Sequence, residues 1–239
     1  MEDYKQEFFD QYKQEDDEGF YSTLESRKQL YSYIETNYIS NMGNEGNILE
    51  LGCGFGTFIY FLEQNGYTKL TGVDASKGQI ENGTKKVKGK LIAGDALEVL
   101  KDIEDESLDC IVMIDVLEHI KVDYVSTLFR TLATKLKKGG RFITHQPNAL
   151  SPIVGSVLMG DLTHEFAYTP ELISLLGKSN GYSNVSFSEC GPYVHGIKSM
   201  VRLLLWKLIV KPMIRMIYLV DAGGCIPILT RNFYAVLVK

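Results

Sequence analysis

The sequence predicts an α/β fold: a Rossmann-like, doubly wound sheet of seven strands with helices on both faces. Three observations carry this. From Asn47 onward, short apolar runs alternate with helical stretches, the pattern of βα units on a parallel sheet. The first run feeds a glycine-rich turn and then a helix. Polar residues recur just after the runs, where open α/β sheets place their ligands.

The elements follow in order. Residues 1–45 read as a helical arm. Its acidic start, Met1 to about Gly19, carries Tyr4, Phe8, Phe9 and Tyr12; it reads either as a surface helix with an aromatic face or as a lid over a ligand. Strands are predicted at 48–51, 69–73, 91–93, 110–114, 141–144, 184–188 and 234–238. Apolar runs such as 111–114 suit strands buried on both faces. Helices are predicted at 57–64, 96–101 and 124–135, with Gly139-Gly140 turning into the fifth strand. Thr169 then Pro170 reads as an N-cap and first helical residue. The whole reads as one domain, 1–239, with a core at 46–146, an insertion and helix at 147–183, and an apolar insertion at 191–231.

Composition narrows the class. A chain of 239 residues suits one domain with a full core. The net charge of −5 supplies no basic field, so no nucleic-acid partner is expected. Cys53, Cys110, Cys190 and Cys225 lie far apart with no CxxC pair, which predicts free thiols and a cytoplasmic setting. The stretch 197–220 is apolar, but Lys198, Arg202, Lys207, Lys211 and Arg215 interrupt it, so no membrane span is expected. Pro212 should end or kink a helix there. A cap over the ligand site, a homodimer surface and a membrane-surface contact all remain open for this stretch.

The chemistry-bearing segments sit at the predicted strand ends. Gly52-Cys-Gly54-Phe-Gly56 has GxGxG spacing, not the GxGxxG of dinucleotide sites, which argues against a nicotinamide-dependent oxidoreductase. Asp74 follows the second strand, where a carboxylate can accept both hydroxyls of a ribose. Asp95 follows the third, placed to accept from an exocyclic amine. Asp115-Val-Leu-Glu118-His119 ends the fourth.

In this order and spacing, Glu50-Leu-Gly52-Cys-Gly54-Phe-Gly56, Asp74, Asp95, Asp115-Val-Leu-Glu118-His119 and the Leu136-Lys-Lys-Gly-Gly140 turn resemble the class I S-adenosylmethionine-dependent methyltransferases. The resemblance implies a last strand, 234–238, antiparallel beside the fifth. It implies that Glu50, Gly52 and Gly54 hold the methionine part of S-adenosylmethionine. Asp74 with Ala75 would meet the ribose, and Asp95 with Ala96 the adenine. Asp115, Val116 and His119 would line the cofactor near its amino group or sulfonium. Arg27 offers a bidentate partner for the cofactor carboxylate.

A second run, Asp161-Leu-Thr163-His164, then Tyr168-Thr-Pro170 and Leu172, resembles a subgroup that includes quinone O-methyltransferases and enzymes of surface-polysaccharide and secondary-metabolite pathways. Here Leu172 comes two residues after Pro170 rather than three. The resemblance implies O-methylation of a sugar or sugar-linked metabolite, with a quinone or small aromatic as the alternative acceptor. His164, then His145, with Asp161, are the candidate catalytic groups, because a hydroxyl acceptor must lose a proton. The cluster Asp161, His164 and Glu165 lacks a third carboxylate from another strand, so no metal is expected.

Overall fold

The computed structural model describes residues 17–224 and 226–239. Most of the proposed lid, with Tyr4, Phe8, Phe9 and Tyr12, lies outside them, as does Cys225. The chain enters through helix α1, Asp17–Ile34, which passes into a π turn at Glu35–Ile39. Strand β1, Asn47–Leu51, then begins a βα alternation: α2 at Thr57–Gln64, β2 at Lys69–Asp74, α3 at Lys77–Gly83, β3 at Lys90–Ala93, α4 at Ala96–Lys101 and β4 at Leu108–Ile114. A 3-10 turn, Leu117–His119, leads to α5, Val122–Lys135, and directly to β5, Leu136–Pro147. After the short α6, Gly155–Leu158, come α7, Pro170–Ser179, and β6, Asn184–Glu189. Helix α8, Ile197–Leu205, runs through a π turn, Trp206–Val210, into α9, Lys211–Ala222, and β7, Asn232–Val238, closes the fold.

The seven strands lie in the order β3-β2-β1-β4-β5-β7-β6. All are parallel except β7, which pairs antiparallel with both β5 and β6. The seven predicted strands all fall within observed ones. Order reverses between β1 and β4, which pair directly, so their carboxyl ends open the crevice where such sheets bind ligands.

Alternation along the strands builds two core layers. Leu49, Leu51, Ile111 and Met113 pack with Leu128, Phe129 and Ile173 on one face. Ile48, Cys110, Val112 and Ile114 pack with Ile34, Phe58 and Leu62 on the other. Burial on both faces is why these strands read as continuous apolar runs.

Two predicted breaks are accommodated instead. The Gly139-Gly140 turn lies inside the span of β5, between the Leu108–Leu136 pairing and the next at Cys110–Arg141. Pro212 does not end its helix. The wider turn just before it, Trp206–Val210, changes the hydrogen-bond pattern where a proline lacks its donor, and the helix continues to Ala222. Among the described residues no helix is long and apolar enough to cross a membrane.

Candidate functional site

The glycine turn is built by contacts that only glycine permits. Gly52 and Cys53 both donate their N–H to the Val73 carbonyl, at 2.8 and 3.0 Å, which curls the chain over the end of β2. Gly52 has φ +73°, and a Cβ there would lie 2.2 Å from a Val116 methyl. Gly54 donates its N–H to Asp74 Oδ2 at 2.8 Å, and Ser76 donates to Asp74 Oδ1 at 2.9 Å. The Asp74 carboxylate therefore ties the turn to the end of β2. Asp95 caps α4, its Oδ1 accepting from Leu97 and Glu98 N–H. Ala75 and Ala96 stand next to these two acids.

Glu50 points from β1 beneath this turn. It is 4% exposed, and its Oε2 has no hydrogen-bond partner among the described residues. Burial, and then the neighbouring charge of Asp74, push its carboxyl well above the usual range. A buried carboxylate oxygen without a partner is costly unless a cation or donor meets it.

Asp115 is the hub of the next strand end. Its backbone is left-handed, φ +54°. Arg27 of α1 donates to its Oδ2 at 2.9 Å, and His145 Nδ1 of β5 donates to its Oδ1 at 2.7 Å. Burial opposes the Asp115 charge, but His145 and Arg27 hold its carboxyl well below the usual range. His145 responds in kind: burial would lower its pKa, yet Asp115 raises it to about 10. Arg27 and His145 thus serve Asp115. A ring that holds its proton this tightly is a poor proton acceptor at neutral pH.

The other side of the His145 ring meets a group the sequence did not single out. Its Nε2 lies 3.3 Å from Cys190 Sγ, beyond the end of β6. Tyr193 Oη lies 3.2 Å from that sulfur and also bonds Tyr234 Oη. Burial raises the Cys190 pKa, but hydrogen bonds from His145 and Tyr193 bring it below the ordinary thiol value. Cys190 and His145 are 45 positions apart, so no local spacing signals the pair.

Beyond the β4 end, the turn after Val116 brings Glu118 and His119 to the 161–166 segment. Glu165 and Phe166 N–H both donate to the Glu118 carbonyl, at 2.7 and 3.3 Å. His164 lies beside His119, ring centroids 4.7 Å apart. Thr163 Oγ1 lies 2.8 Å from His119 Nδ1 and 2.6 Å from Asp161 Oδ1. Burial, then the Asp115 charge, push the Glu118 carboxyl up to about 8. Burial, then His164, lower the His119 pKa. Asp161 and His164 are thus brought together, with Glu118 and His119 as neighbours; Asp161 itself is engaged by Thr163.

Residues 49–144 match the profile of a methyltransferase domain. No curated protein sequence matches the chain. Among solved structures, a SAM-dependent methyltransferase from Archaeoglobus fulgidus superposes with a TM-score of 0.68 at 19% identity, over 89% of this chain and 94% of that one. A phosphoethanolamine N-methyltransferase from Haemonchus contortus, solved with phosphomonomethylethanolamine and S-adenosylhomocysteine, gives a TM-score of 0.59 at 16% identity, over 89% of this chain and 52% of that one. Magnesium protoporphyrin IX methyltransferase from Synechocystis, with bound SAH, gives 0.55 at 13% identity, over 89% and 83%. At these identities the likeness is one of fold.

Proposed function

We propose that this chain, a class I S-adenosylmethionine-dependent methyltransferase, methylates a hydroxyl of a sugar or sugar-linked metabolite. When bound, the cofactor supplies a methyl group on a positively charged sulfur that leaves as a neutral thioether. The residues fit such a group. A crevice holding Glu50, Asp74 and Asp115 favours a ligand with a sulfonium and an ammonium. The partnerless buried oxygen of Glu50 is suited to the ammonium. The Gly52–Gly54 turn, closed to any side chain at Gly52, lets the methionine part lie against backbone. In this reading Asp74 takes the ribose hydroxyls, Asp95 and Ala96 meet the adenine, and Val116 and His119 line the sulfonium side.

One observation supports a hydroxylated acceptor above others. Beyond the β4 end lies a cluster of Glu118, His119, Thr163 and His164, with the Glu118 Oε2 buried and partnerless. Such a cluster receives hydroxyl donors and carries away a proton, which transfer to oxygen requires. A quinone or small aromatic acceptor is the second reading. It is favoured by the rings of Tyr33, Tyr193 and Tyr234, where Tyr33 stacks on Tyr234 at 4.9 Å. It is also favoured by the exposed apolar helices α8 and α9, which would suit a lipid tail, a membrane surface or a second copy of the chain.

The test is a transfer assay with methyl-labelled cofactor against nucleotide sugars and short-chain quinols. Label in a nucleotide sugar supports the lead reading; label only in quinols replaces it with the second.

A further inference from the structure

We infer that Glu118, His119 and His164 form a binding site for one divalent transition-metal ion, at the mouth of the acceptor site. One ligand atom from each residue can be chosen so that all three lie within 4.8 Å of one another. The residues come from two separate segments, the turn after β4 and the loop before α7. Glu118 is 1% exposed, and its Oε2 has no hydrogen-bond partner among the described residues.

Both imidazoles are held through Nδ1. His164 Nδ1 lies 2.9 Å from the Leu158 carbonyl. A carbonyl only accepts, so Nδ1 carries the hydrogen and Nε2 carries the lone pair. Thr163 Oγ1 has a single hydrogen, which it donates to Asp161 Oδ1 at 2.6 Å. It must then accept from His119 Nδ1 at 2.8 Å. Both imidazoles are thus held by an outer partner through Nδ1, the arrangement that orients metal-binding histidines. Two imidazoles and a carboxylate with ligand atoms within 4.8 Å of one another favour a cation there.

The donor set selects the ion. Two imidazole nitrogens and one carboxylate oxygen suit zinc, iron(II), cobalt or nickel; magnesium and calcium prefer oxygen alone. Three protein ligands leave positions open for a substrate oxygen, as in catalytic zinc sites. The sequence-based expectation of no metal weighed Asp161, His164 and Glu165. The structure instead gives Asp161 to Thr163 and supplies Glu118 and His119 from across the sheet end.

The ion's part in transfer rests on the function proposed above; its binding does not. An acceptor hydroxyl on the ion would release its proton to water more readily than a free one. Its oxygen would form the new bond to the methyl carbon as the carbon–sulfur bond breaks and leaves its electron pair on sulfur.

The test is titration of the chelator-treated full chain with Co2+, read by visible absorption, with Zn2+ as competitor. The same samples are titrated calorimetrically with S-adenosylhomocysteine. The expected result is one equivalent of Co2+ with the visible bands of a low-symmetry site, displaced by Zn2+. His164→Ala and Glu118→Gln should abolish those bands while S-adenosylhomocysteine still binds. Thr163→Val, which keeps all three ligands, should weaken Co2+ by about 10–100-fold. A wild-type protein that binds S-adenosylhomocysteine but takes up no Co2+ would overturn the site. So would Co2+ bands unchanged in the His119→Ala, His164→Ala double variant. Loss of S-adenosylhomocysteine binding in the wild type bears on the cofactor assignment alone, because Co2+ uptake is read independently of it.

Discussion

The crevice at the β1 and β4 ends and the helical run 197–222 are opposite kinds of surface. In the crevice, charge is half-buried and answered: Asp115 by Arg27 and His145, Asp74 by two backbone N–H groups. The helical run instead leaves apolar side chains in solvent. Leu208 is 70% exposed, Ile217 60% and Val220 83%. It is tied to the body by few contacts, among them Lys211 on Glu189 at 2.7 Å, the Tyr218 hydroxyl on the Leu150 carbonyl at 2.6 Å and buried Ile214. Stability is concentrated in the first region. The second carries apolar area far beyond scattered surface residues, and such area marks a contact with something else.

The largest effect expected on this contrast comes from Asp115→Asn. It leaves Arg27 and His145 facing each other without a counter-charge, a change worth about 3 kcal/mol or more when a buried pair is broken. In a domain of this size that lowers the midpoint of thermal unfolding by roughly 6–12 °C. An unchanged melting curve would remove Asp115 from its role as hub.

Gly52→Ala comes next. The left-handed backbone costs about 1–2 kcal/mol for a residue with a Cβ, and that Cβ would press on Val116 at 2.2 Å. The turn must shift, so S-adenosylhomocysteine affinity should fall by roughly tenfold or more, while circular dichroism stays native. Affinity equal to wild type would show that the turn does not touch the cofactor.

The pH response separates the two regions further. The His145 pKa stands at about 10 in the folded chain, above the ~6.5 of an unfolded histidine. A raised pKa means that the folded state holds the proton more tightly. The stabilisation from the His145–Asp115 pair is therefore complete below pH ~6.5 and is lost as pH rises through about 10. The groups facing His145 are Asp115, Cys190 and Tyr234. Denaturant midpoints measured from pH 6 to 10 should decline across that window, and the decline should vanish in His145→Gln. The same variant should raise the pH at which Cys190 reacts with iodoacetamide, because the imidazole no longer favours the thiolate.

The smallest effect on folding is expected at the helical run. Leu208→Glu with Ile217→Glu should change stability by no more than about 0.5 kcal/mol, as surface substitutions do. It should instead abolish whatever this face contacts. Flotation with anionic vesicles and sedimentation equilibrium distinguish a membrane surface from a second copy of the chain.

Legibility in the sequence follows the same division. The sheet could be read because its signals are local: apolar runs, a glycine turn after the first strand and an acid after each of the next three. Asp74 and Asp95 sit where their spacing put them, although both carboxylates also bind backbone N–H groups. The hub of Asp115 was only half legible, since Arg27 and His145 reach it from 88 and 30 positions away. Cys190 read only as a free thiol, since it has no CxxC partner; folding brings His145 to it. Glu118 was read as part of a motif, and only its burial shows an oxygen in need of a partner. Pro212 misled because a proline rule cannot foresee a π turn that absorbs the missing donor.

The most direct test of the account is calorimetric titration with S-adenosylmethionine and S-adenosylhomocysteine, on wild type and on Asp74→Ala, with circular dichroism of both. The account expects micromolar binding of both ligands by the wild type and its loss in a folded Asp74→Ala. A folded wild type that binds neither ligand would contradict the central claim that the crevice at the β1 and β4 ends is a cofactor site.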